Sequence, residues 1–559
     1  MPFEFSKRNL SPEDARRQRL FEILPGLTSW GILLGMTALS FFRPMTAAVI
    51  IIAFDFYWLL RLLYMTIFLL LAYLRLTIER ETDWIGRIRG IDILDRHLKT
   101  LSDAGPETLP KRLSFHIHRK ELTALKDSGH LPPPSGEIFH LIIFPVAKEP
   151  REVLEPAIAS LTRQNFPLQQ IVVVYALEER APETTKKDVA DLTAKYQNTF
   201  FDLLTVVHPA DLPGEARVKG ANATYAAQKA ALHFEKKGIP FENIIVSCFD
   251  ADTVVGQQYF SCLTYYFMIT PHRTRASFQP IPVYHNNIWE VPGFARIMES
   301  GSSFFQMVEA THPEKLVTFS SHSMSFKALV DVGYWPVDMI SDDSAIFWKA
   351  FIHYDGKYRV VPMYVTLSMD VAASDTWWRT AKNIYKQKRR WAWGVENFPI
   401  VARAFLKSRR IPSYEKFRHA FKLFEGHVSW ATWGFILTII GWLPTIFAGQ
   451  QFRHSVVYYN MPQITGTIFH LASLSLIISV TLSIALLPKT KLRYRWVKKV
   501  IFAMEWCAMP LILVFLSALP ALDAQTRLML GQDMGFWVTE KKRKGKSDHQ
   551  STLPPAVPT

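Results

Sequence analysis

Two aspartates separated by one residue, Asp250 and Asp252, follow the apolar run at residues 243–248. In an extended chain, side chains at positions i and i+2 point to the same side, so both carboxylates could face one ligand at the end of a strand. Mg2+ and Mn2+ accept such oxygen ligands and usually keep coordination positions for phosphate. The pair therefore indicates a metal site for a phosphorylated ligand, although two exposed loop acids would give the same pattern.

The same residues fit a second kind of chemistry. Haloacid-dehalogenase-type phosphatases place a nucleophilic aspartate after a strand and another acid two residues later, and the first acid forms an aspartyl-phosphate. Asp250 would be that nucleophile here. At this point a metal site and a phosphatase nucleophile both remain open.

A second acidic pair, Asp342 and Asp343, precedes the helix-like stretch at residues 345–352. Backbone donors and the helix dipole stabilise a carboxylate at a helix start, so an ordinary helix cap is one interpretation. Two adjacent acids are more than a cap needs. One of them could act as a general base toward an acceptor hydroxyl, because a neighbouring like charge and partial burial would raise its pKa.

The segment at residues 375–406 combines basic residues and tryptophans in a helical pattern. This composition is typical of a helix that lies in a membrane interface. Gln387, Arg390 and Trp391 could do more than anchor the segment. A guanidinium binds a diphosphate well, and an indole face packs against a sugar ring.

Residues 136–372 contain no apolar run of about 20 residues, the length that a membrane-spanning helix needs. Instead, β-rich runs alternate with helix-like segments, which predicts a mostly parallel sheet with helices on both faces. Ligands of such sheets bind at the carboxyl ends of strands, where Asp250 and Asp252 are expected. The predicted strands are 140–144, 171–175, 201–207 and 243–249, and the predicted helices are 152–163, 184–197 and 221–237.

Apolar stretches flank this region on both sides, and no cleavable signal is evident. Asp55 and Arg61 interrupt the second stretch and predict its cytoplasmic end, with a pore or proton pathway as the alternative. Glu505, Pro510 and Pro520 favour a re-entrant or interfacial hairpin in the last stretch over a true span. The five stretches are residues 24–42, 45–74, 428–448, 464–487 and 500–522.

Basic residues are concentrated in the N-terminal tail, the 488–499 loop and the C-terminal tail, which places these segments and the central region in the cytoplasm. About half of the 559 residues are apolar and a fifth are charged, as expected for a soluble region flanked by membrane segments. The formal charge of +15 indicates contact with polyanions such as lipid headgroups, nucleic acid or nucleotides. Three cysteines are too few for a disulfide framework or a zinc site.

Four signals occur in a fixed order along the chain, and together they resemble the membrane-embedded family-2 inverting glycosyltransferases, the group that includes cellulose and hyaluronan synthases. The resemblance covers roughly residues 136–400, and residues 536–541 also resemble a segment that follows the last helices of such enzymes. It implies an α/β fold with a GT-A-type nucleotide-sugar domain flanked by transmembrane helices. The signals are Pro145 with Glu149-Pro150, Asp250-Ala251-Asp252, Asp342-Asp343, and Gln387-x-x-Arg390-Trp391.

The resemblance also implies roles for individual residues. Asp252 and Asp250 would hold Mg2+ or Mn2+ on the donor diphosphate, and Asp343, next to Asp342, would be the catalytic base. This chain has Ser341-Asp342 where the family has Thr-Glu, and Glu178 where the family usually has an aspartate. The residues implied in donor or nucleotide binding are Glu149, Glu178, Asp250, Lys219, Gln387, Arg390 and Trp391.

The expected protein is an integral membrane glycosyltransferase of the bacterial inner membrane, with its catalytic domain in the cytoplasm. Its expected partners are membrane lipids, a nucleotide sugar and a glycan or lipid acceptor, with no nucleic acid. A phosphatase and a non-enzymatic membrane transporter are the alternatives. The expected organisation is a cytoplasmic tail (1–23), two transmembrane helices (24–80), an interface region (81–135), the GT-A-like domain (136–372), amphipathic interface helices (373–427), transmembrane or re-entrant helices (428–530) and a basic, disordered tail (531–559).

Overall fold

A computed structural model of the chain describes residues 3–8, 10–101, 108–488 and 495–535. The strands are β1 (Phe139–Val146), β2 (Ile171–Glu178), β3 (Asp202–His208), β4 (Ile244–Cys248), β5 (Val254–Val255), β6 (Ala276–Val283), β7 (Ser323–Ser325) and β8 (Arg359–Ser368). The helices before the sheet are α1 (Pro12–Phe42), α2 (Pro44–Arg80), α3 (Trp84–Asp92), α4 (Leu94–Thr100) and α5 (Leu109–Ser128).

Further helices lie between the strands and after them. Those between strands, or directly after β7, are α6 (Arg151–Leu161), α7 (Glu183–Tyr196), α8 (Lys219–Lys237), α9 (Tyr259–Ile269), α10 (Gly293–Ala310), α11 (Phe326–Asp331) and α12 (Asp342–His353). Those after the sheet are α13 (Trp377–Ala392), α14 (Asn397–Lys407), α15 (Ser413–Thr438), α16 (Leu443–Ile446), α17 (Gln450–Arg453), α18 (Val456–Leu486), α19 (Arg495–Glu505), α20 (Met509–Ile512) and α21 (Leu519–Met529).

The strands form one sheet in the order β3-β2-β1-β4-β7-β6-β8-β5. The pairs β1–β2, β1–β4, β2–β3 and β6–β8 are parallel, whereas β7 runs antiparallel between β4 and β6. All residues of β2, β4 and β6 are buried, as expected for strands covered on both faces. The predicted mostly parallel α/β sheet is confirmed, and each of the four predicted strands matches an observed one to within three residues.

Hydrophobic cores lie on both faces of the sheet. One contains Tyr175, Phe249 and Phe260, and the other contains Phe234 and Trp348. Since β1 and β4 are neighbours, with Ile143 opposite Cys248, their carboxyl ends meet at the middle of one edge of the sheet. The residues that follow β4 therefore leave the sheet at its centre, beside the loop that follows β1.

Four helices among the described residues are long and apolar enough to cross a membrane, or five if the bent pair Ser413–Thr438 and Ile440–Ile446 forms one span. The helices α2 and α18 pack side by side, and Thr465 donates a hydrogen bond of 3.3 Å to the Asp55 carboxylate between them. Arg61 pairs with Glu425 at 2.6 Å. Further along the same helix, Tyr64 and Phe68 contact His312, which follows α10. Because α2 continues to Arg80, the cytoplasmic end predicted from Asp55 and Arg61 stays a prediction.

The segment Val500–Met529 is also long and apolar enough to span. Near its start, Arg296 of α10 donates to Glu505 at 3.1 Å, and near its end Arg389 of α13 donates to Asp523 at 2.8 Å. Both contacts join the segment to helices outside the membrane-length ones, and its interfacial or re-entrant placement stays a prediction.

The predicted interface region at residues 81–135 packs against the sheet region through α3, whose Trp84 ring lies 5.1 Å from the Tyr265 ring of α9. Other predictions concern residues outside the described ranges. These are residues 489–494 of the basic 488–499 loop, the 536–541 segment and the rest of the basic C-terminal tail.

Candidate active site

Asp250 lies directly beyond β4, in a turn closed by a 2.9 Å hydrogen bond from the Thr253 N–H to the Asp250 carbonyl. The chain is therefore in a turn here and not extended, so the prediction that Asp250 and Asp252 share one side of an extended chain does not hold for its stated reason. The Asp250 carboxylate accepts a hydrogen bond from Lys219 Nζ at 2.7 Å and another from Ser320 Oγ at 2.5 Å. It lies partly exposed at the central edge of the sheet.

Asp252 is fully buried below the segment that follows β8. Its Oδ2 accepts the backbone N–H of Asp370 at 2.7 Å, and its carbonyl accepts the side-chain amide of Asn286 at 2.8 Å. These contacts fix the orientation of the Asp252 carboxylate. Asp370 and Asn286 lie 118 and 34 residues from Asp252, and no local pattern in the sequence links them to it.

The second acidic pair occupies the first turn of α12, and Ser341 is the residue before it. Asp343 is partly exposed, and its Oδ1 lies 3.1 Å from Lys219 Nζ. Its carbonyl accepts a hydrogen bond from Thr318 Oγ1 at 2.6 Å, which joins the start of α12 to the segment before β7. Asp343 is thus the acid of this pair that contacts the same ammonium as Asp250. The partly exposed space around Lys219, Asp250 and Asp343 is called the acidic cleft below.

Asp342 is buried against the start of α8. A Cβ added to Gly220 would lie 3.0 Å from the Asp342 Cβ and 2.4 Å from the Pro336 carbonyl oxygen, so only glycine fits at that position. Burial, and then the charge of Asp343, raises the pKa of Asp342 to about 8. The raised pKa that the sequence analysis expected for a base therefore belongs to the buried acid of the pair.

Lys219, the first residue of α8, connects the two acidic regions. Its ammonium contacts Asp250 and Asp343 at once. Burial opposes the charge, but the two carboxylates outweigh it and raise the pKa of Lys219 well above its ordinary value. Three residues predicted to act together, from positions up to 124 residues apart, thus meet at one point.

His322 is a buried neighbour of Asp343 that the sequence analysis missed. Its Nδ1 lies 3.1 Å from the Phe319 carbonyl and 3.9 Å from Asp343 Oδ1. Burial lowers the pKa of His322 to about 4, so the ring is neutral near pH 7 and donates from Nδ1 to the carbonyl. A lone histidine among serines carries no pattern that would have identified it.

The Gln-x-x-Arg-Trp motif lies on α13. The Trp391 ring lies 5.4 Å from the Phe319 ring and 6.2 Å from the Tyr284 ring. Phe319 precedes Ser320, which bonds to Asp250, so the motif helix adjoins the acidic cleft. Gln387 is buried, and the positive charge of Arg390 acts on Asp342 to lower its pKa against the larger effect of burial.

The turn after this helix is tied to the start of α12 by the buried carboxylate of Glu396. Its Oε1 accepts hydrogen bonds from the Ile340 N–H at 3.2 Å, the Ser341 N–H at 3.1 Å and Ser341 Oγ at 2.8 Å. Asn397 donates to Ser341 Oγ at 3.1 Å. Ser341, where the family pattern has threonine, therefore links the motif helix to the acids that follow it.

Glu149 and Glu178 lie farther along the same edge of the sheet. Glu149 accepts the backbone N–H groups of Ala147 at 2.7 Å and Lys148 at 3.0 Å, and so closes its own loop. Glu178 ends β2 and pairs with Arg180 at 3.0 Å. No contact recorded for the described residues joins either glutamate to the Lys219 group, and their roles in nucleotide binding stay predictions.

The donor set for a divalent metal consists of the carboxylates of Asp250 and Asp252. Within the described ranges, no three His, Cys, Asp or Glu side chains are placed to hold an ion together. Two carboxylates fit Mg2+ or Mn2+, which usually take one or two protein carboxylates and complete their shell with water and phosphate oxygens. Lys219 is at present the cation paired with Asp250.

Residues 245–519 match the family model described as Glycosyl transferase family group 2. Poly-beta-1,6-N-acetyl-D-glucosamine synthases of Staphylococcus aureus, from strains COL and MSSA476, are each 30% identical to this chain over 189 residues. The match covers 30% of this chain and 39% of each relative, so the chain spans about two fifths of the length of these curated relatives.

Two solved structures are similar in part. A mannosyltransferase from Pyrobaculum calidifontis, in complex with GDP-Man and Mn2+, is 13% identical with a TM-score of 0.36, over 75% of this chain and 99% of that chain. S. aureus TarS 1–349 is 14% identical with a TM-score of 0.29, over 60% of this chain and 90% of that chain. Similarities this low do not bear on substrate or mechanism.

Proposed function

We propose that this chain, a family-2 glycosyltransferase, transfers a sugar with inversion from a nucleotide sugar to a lipid-linked or polysaccharide acceptor at a membrane surface. The expected donor is a UDP-sugar, and the expected location is the cytoplasmic face of the bacterial inner membrane. The observation that carries the proposal is the contact of one ammonium, Lys219, with both Asp250 and Asp343. This contact supports the proposal because the proposed donor-site acid and the proposed base then lie beside the same cation.

In this proposal Asp343 is the general base. It is the partly exposed acid of its pair, and the Thr318 hydroxyl and the helix start hold its backbone. Asp343 takes the proton of the acceptor hydroxyl while that oxygen forms a bond to the anomeric carbon from the face opposite the leaving group. The bond from the anomeric carbon to the diphosphate breaks, and the diphosphate leaves with the electron pair.

The diphosphate gains negative charge in this step, and cationic groups around it lower the barrier. Lys219 and Arg390 are the side chains proposed for this role. Lys219 already pairs with two carboxylates in the cleft, Asp250 and Asp343. The positive charge of Arg390 acts to lower the pKa of Asp342, so Arg390 lies near the same acids. Mg2+ or Mn2+ held by Asp250 and Asp252 would supply further positive charge to the diphosphate oxygens.

The acceptor is proposed to approach from the side of Trp391. Tyr284, whose ring lies 6.2 Å from the Trp391 ring, also lines a small cavity with Glu299 of α10 and Ser483 of α18. Its volume of about 20 Å³ has room for a water molecule and not for a sugar. Because α18 is one of the membrane-length helices, its closeness to Tyr284 supports an acceptor side that faces the bilayer. An aromatic wall beside a membrane helix suits the sugar end of a lipid-linked or growing glycan.

The decisive experiment is a donor screen with purified protein in nanodiscs, with Mn2+ or Mg2+ and with EDTA as the control. UDP-N-acetylglucosamine is the first donor to test, because the curated relatives are named as synthases of an N-acetylglucosamine polymer. We expect metal-dependent release of UDP and a product of increased mass. A ladder of masses would indicate a polymerase, and a single increment would indicate one-step transfer.

The matches to glycosyltransferases favour this proposal over the phosphatase and the transporter. Assays on the same purified protein distinguish the glycosyltransferase, the phosphatase and the transporter. Release of phosphate from a simple phosphomonoester, with no turnover of any nucleotide sugar, would replace the proposal with a phosphatase. No turnover of either substrate class by folded protein would contradict both enzymatic interpretations.

A further inference from the structure

We propose that Lys388 is a positioning residue that holds the indole of Trp391 in place and determines which indole face an acceptor sugar can use. The side chain is buried, with 2% of its surface exposed. Its Nζ lies 3.7 Å from the centre of the Trp391 ring, directly over the ring. The inference rests on the proposed function in one respect, namely the role of Trp391 in binding the acceptor.

The ammonium is held from the opposite side by α10. Lys388 Nζ donates to Glu299 Oε2 at 2.9 Å and to Ser302 Oγ at 2.8 Å. The side chain of Glu299 is itself fully buried. The cation is thus fixed at three points, and the helix that carries Trp391 is joined to α10 through it.

The burial of this pair distinguishes Lys388 from the other basic residues of α13. Removing a lysine and a glutamate from water costs more than their attraction usually returns, and apolar residues of similar size often serve stability equally well. A buried pair is therefore better explained by the geometry it imposes than by stability. In this protein the pair fixes the orientation of the Trp391 ring, which lies three residues after Lys388 on the same helix.

The position of the cation has a direct consequence for substrate binding. A ring has two faces, and an ammonium over one of them leaves only the other for a sugar. The cation–π attraction also holds the indole in one orientation. The Phe319 ring, which meets Trp391 at an interplanar angle of 85°, supports its edge. Lys388 and Phe319 together thus restrict the orientation of the Trp391 indole and the ring face that is open to a ligand.

The test uses the full chain in nanodiscs, with UDP-N-acetylglucosamine as donor and an N-acetylglucosamine oligomer as acceptor. Transfer to the oligomer and hydrolysis of the donor by water are measured separately. For Lys388→Met we expect the acceptor KM to rise about tenfold, while donor hydrolysis changes by less than about twofold. Glu299→Gln should shift KM in the same direction, and Lys388→Arg, which keeps a cation, should restore much of the transfer.

Lys382→Met is the matched control, because Lys382 is an exposed lysine on the same helix. It should leave both rates unchanged. If Lys388→Met keeps the wild-type ratio of transfer to hydrolysis, or lowers both rates equally, Lys388 does not position the acceptor end and the inference is overturned. If wild-type protein turns over no donor, the proposed function fails instead.

A measurement that needs no turnover tests the positioning directly. Hydroxyl-radical footprinting with mass spectrometry reports the solvent accessibility of the Trp391 indole. Loss of the ammonium in Lys388→Met should increase oxidation of Trp391 at least about twofold, whereas Lys382→Met should not. Unchanged Trp391 oxidation in a folded Lys388→Met protein would overturn the inference whatever the activity.

Discussion

In each acidic pair of the site, one carboxylate faces the cleft and the other is buried. The side chains of Asp250 and Asp343 are 28% and 26% exposed, and both contact Lys219. Asp252 and Asp342 are 0% and 4% exposed. The pairs lie on different elements, one in a turn after a strand and the other in the first turn of a helix.

The pairs differ in what surrounds the buried acid. Asp252 accepts the backbone N–H of Asp370 at 2.7 Å, and such a donor stabilises a carboxylate anion. Asp342 lies against Gly220, and the structure records no hydrogen-bond partner for its Oδ2 within the described residues. Burial accordingly raises the pKa of Asp342 to about 8. Similar pairs in the sequence thus provide a buried carboxyl group held by a backbone donor in one case and a largely neutral acid at pH 7 in the other.

The largest effect is expected for Asp343→Asn, which removes the proposed base and leaves the side-chain shape. General-base catalysis contributes roughly 100- to 10,000-fold, so kcat for transfer should fall by about 1000-fold. Donor affinity, measured by calorimetry with the nucleotide sugar, should stay within about threefold. Near-normal transfer by this variant would show that the base is another group.

Asp252→Asn tests the anion of the first pair. The asparagine oxygen can still accept the Asp370 N–H, so the turn should keep its shape while the charge is lost. We expect a loss of about 100-fold in kcat/KM and a higher Mn2+ concentration for half-maximal activity. Titration of activity with Mn2+ measures both. An unchanged metal dependence would remove Asp252 from the metal site.

Gly220→Ala tests the close contact behind the second pair. The added Cβ would lie 2.4 Å from the Pro336 carbonyl oxygen, so the start of α8 must move, and Lys219 with it. Overpacking of this kind costs about 1–3 kcal/mol, and transfer should fall by about tenfold. Gly256→Ala is the control, because a Cβ there meets nothing within 4 Å. Thermal unfolding and activity that match the control would contradict the described contact.

The smallest effect on transfer is expected for Asp342→Asn, since an acid that is largely protonated at pH 7 resembles the amide. Transfer at that pH should change by less than about threefold. A raised pKa in the folded state stabilises the protein below the ordinary aspartate range, and this stabilisation is lost as pH rises through about 8.

The free energy of unfolding of the wild type should accordingly decrease through this group between pH 5 and about pH 8, by at most about 1.4 kcal/mol per pH unit, and the unfolding temperature should decrease with it. Asp342→Asn should lack that component. Thermal unfolding at pH 5, 7 and 9 compares the two proteins. Identical pH dependence in both would show that Asp342 is ionised in the folded protein.

Much of the central sheet was predictable because its signals are local. Runs rich in Val and Ile marked β1, β2 and β4, and the position after β4 placed Asp250 at the ligand-binding edge. The strands β5, β6, β7 and β8 were not predicted. Their pairing crosses the chain in a non-sequential order, with β7 antiparallel between β4 and β6, and no local pattern specifies such an order.

The sequence by itself determined which residue types are available for chemistry and the order in which they occur. The Asp-x-Asp turn, the adjacent acids and the Gln-x-x-Arg-Trp motif were all identified without a structure. Only the tertiary structure decided which acid of each pair is exposed, and that Lys388 is buried against Glu299, which lies 89 residues away. The reason is physical: residue type and spacing set what a side chain can do, but its burial and partners depend on elements that are distant in the chain.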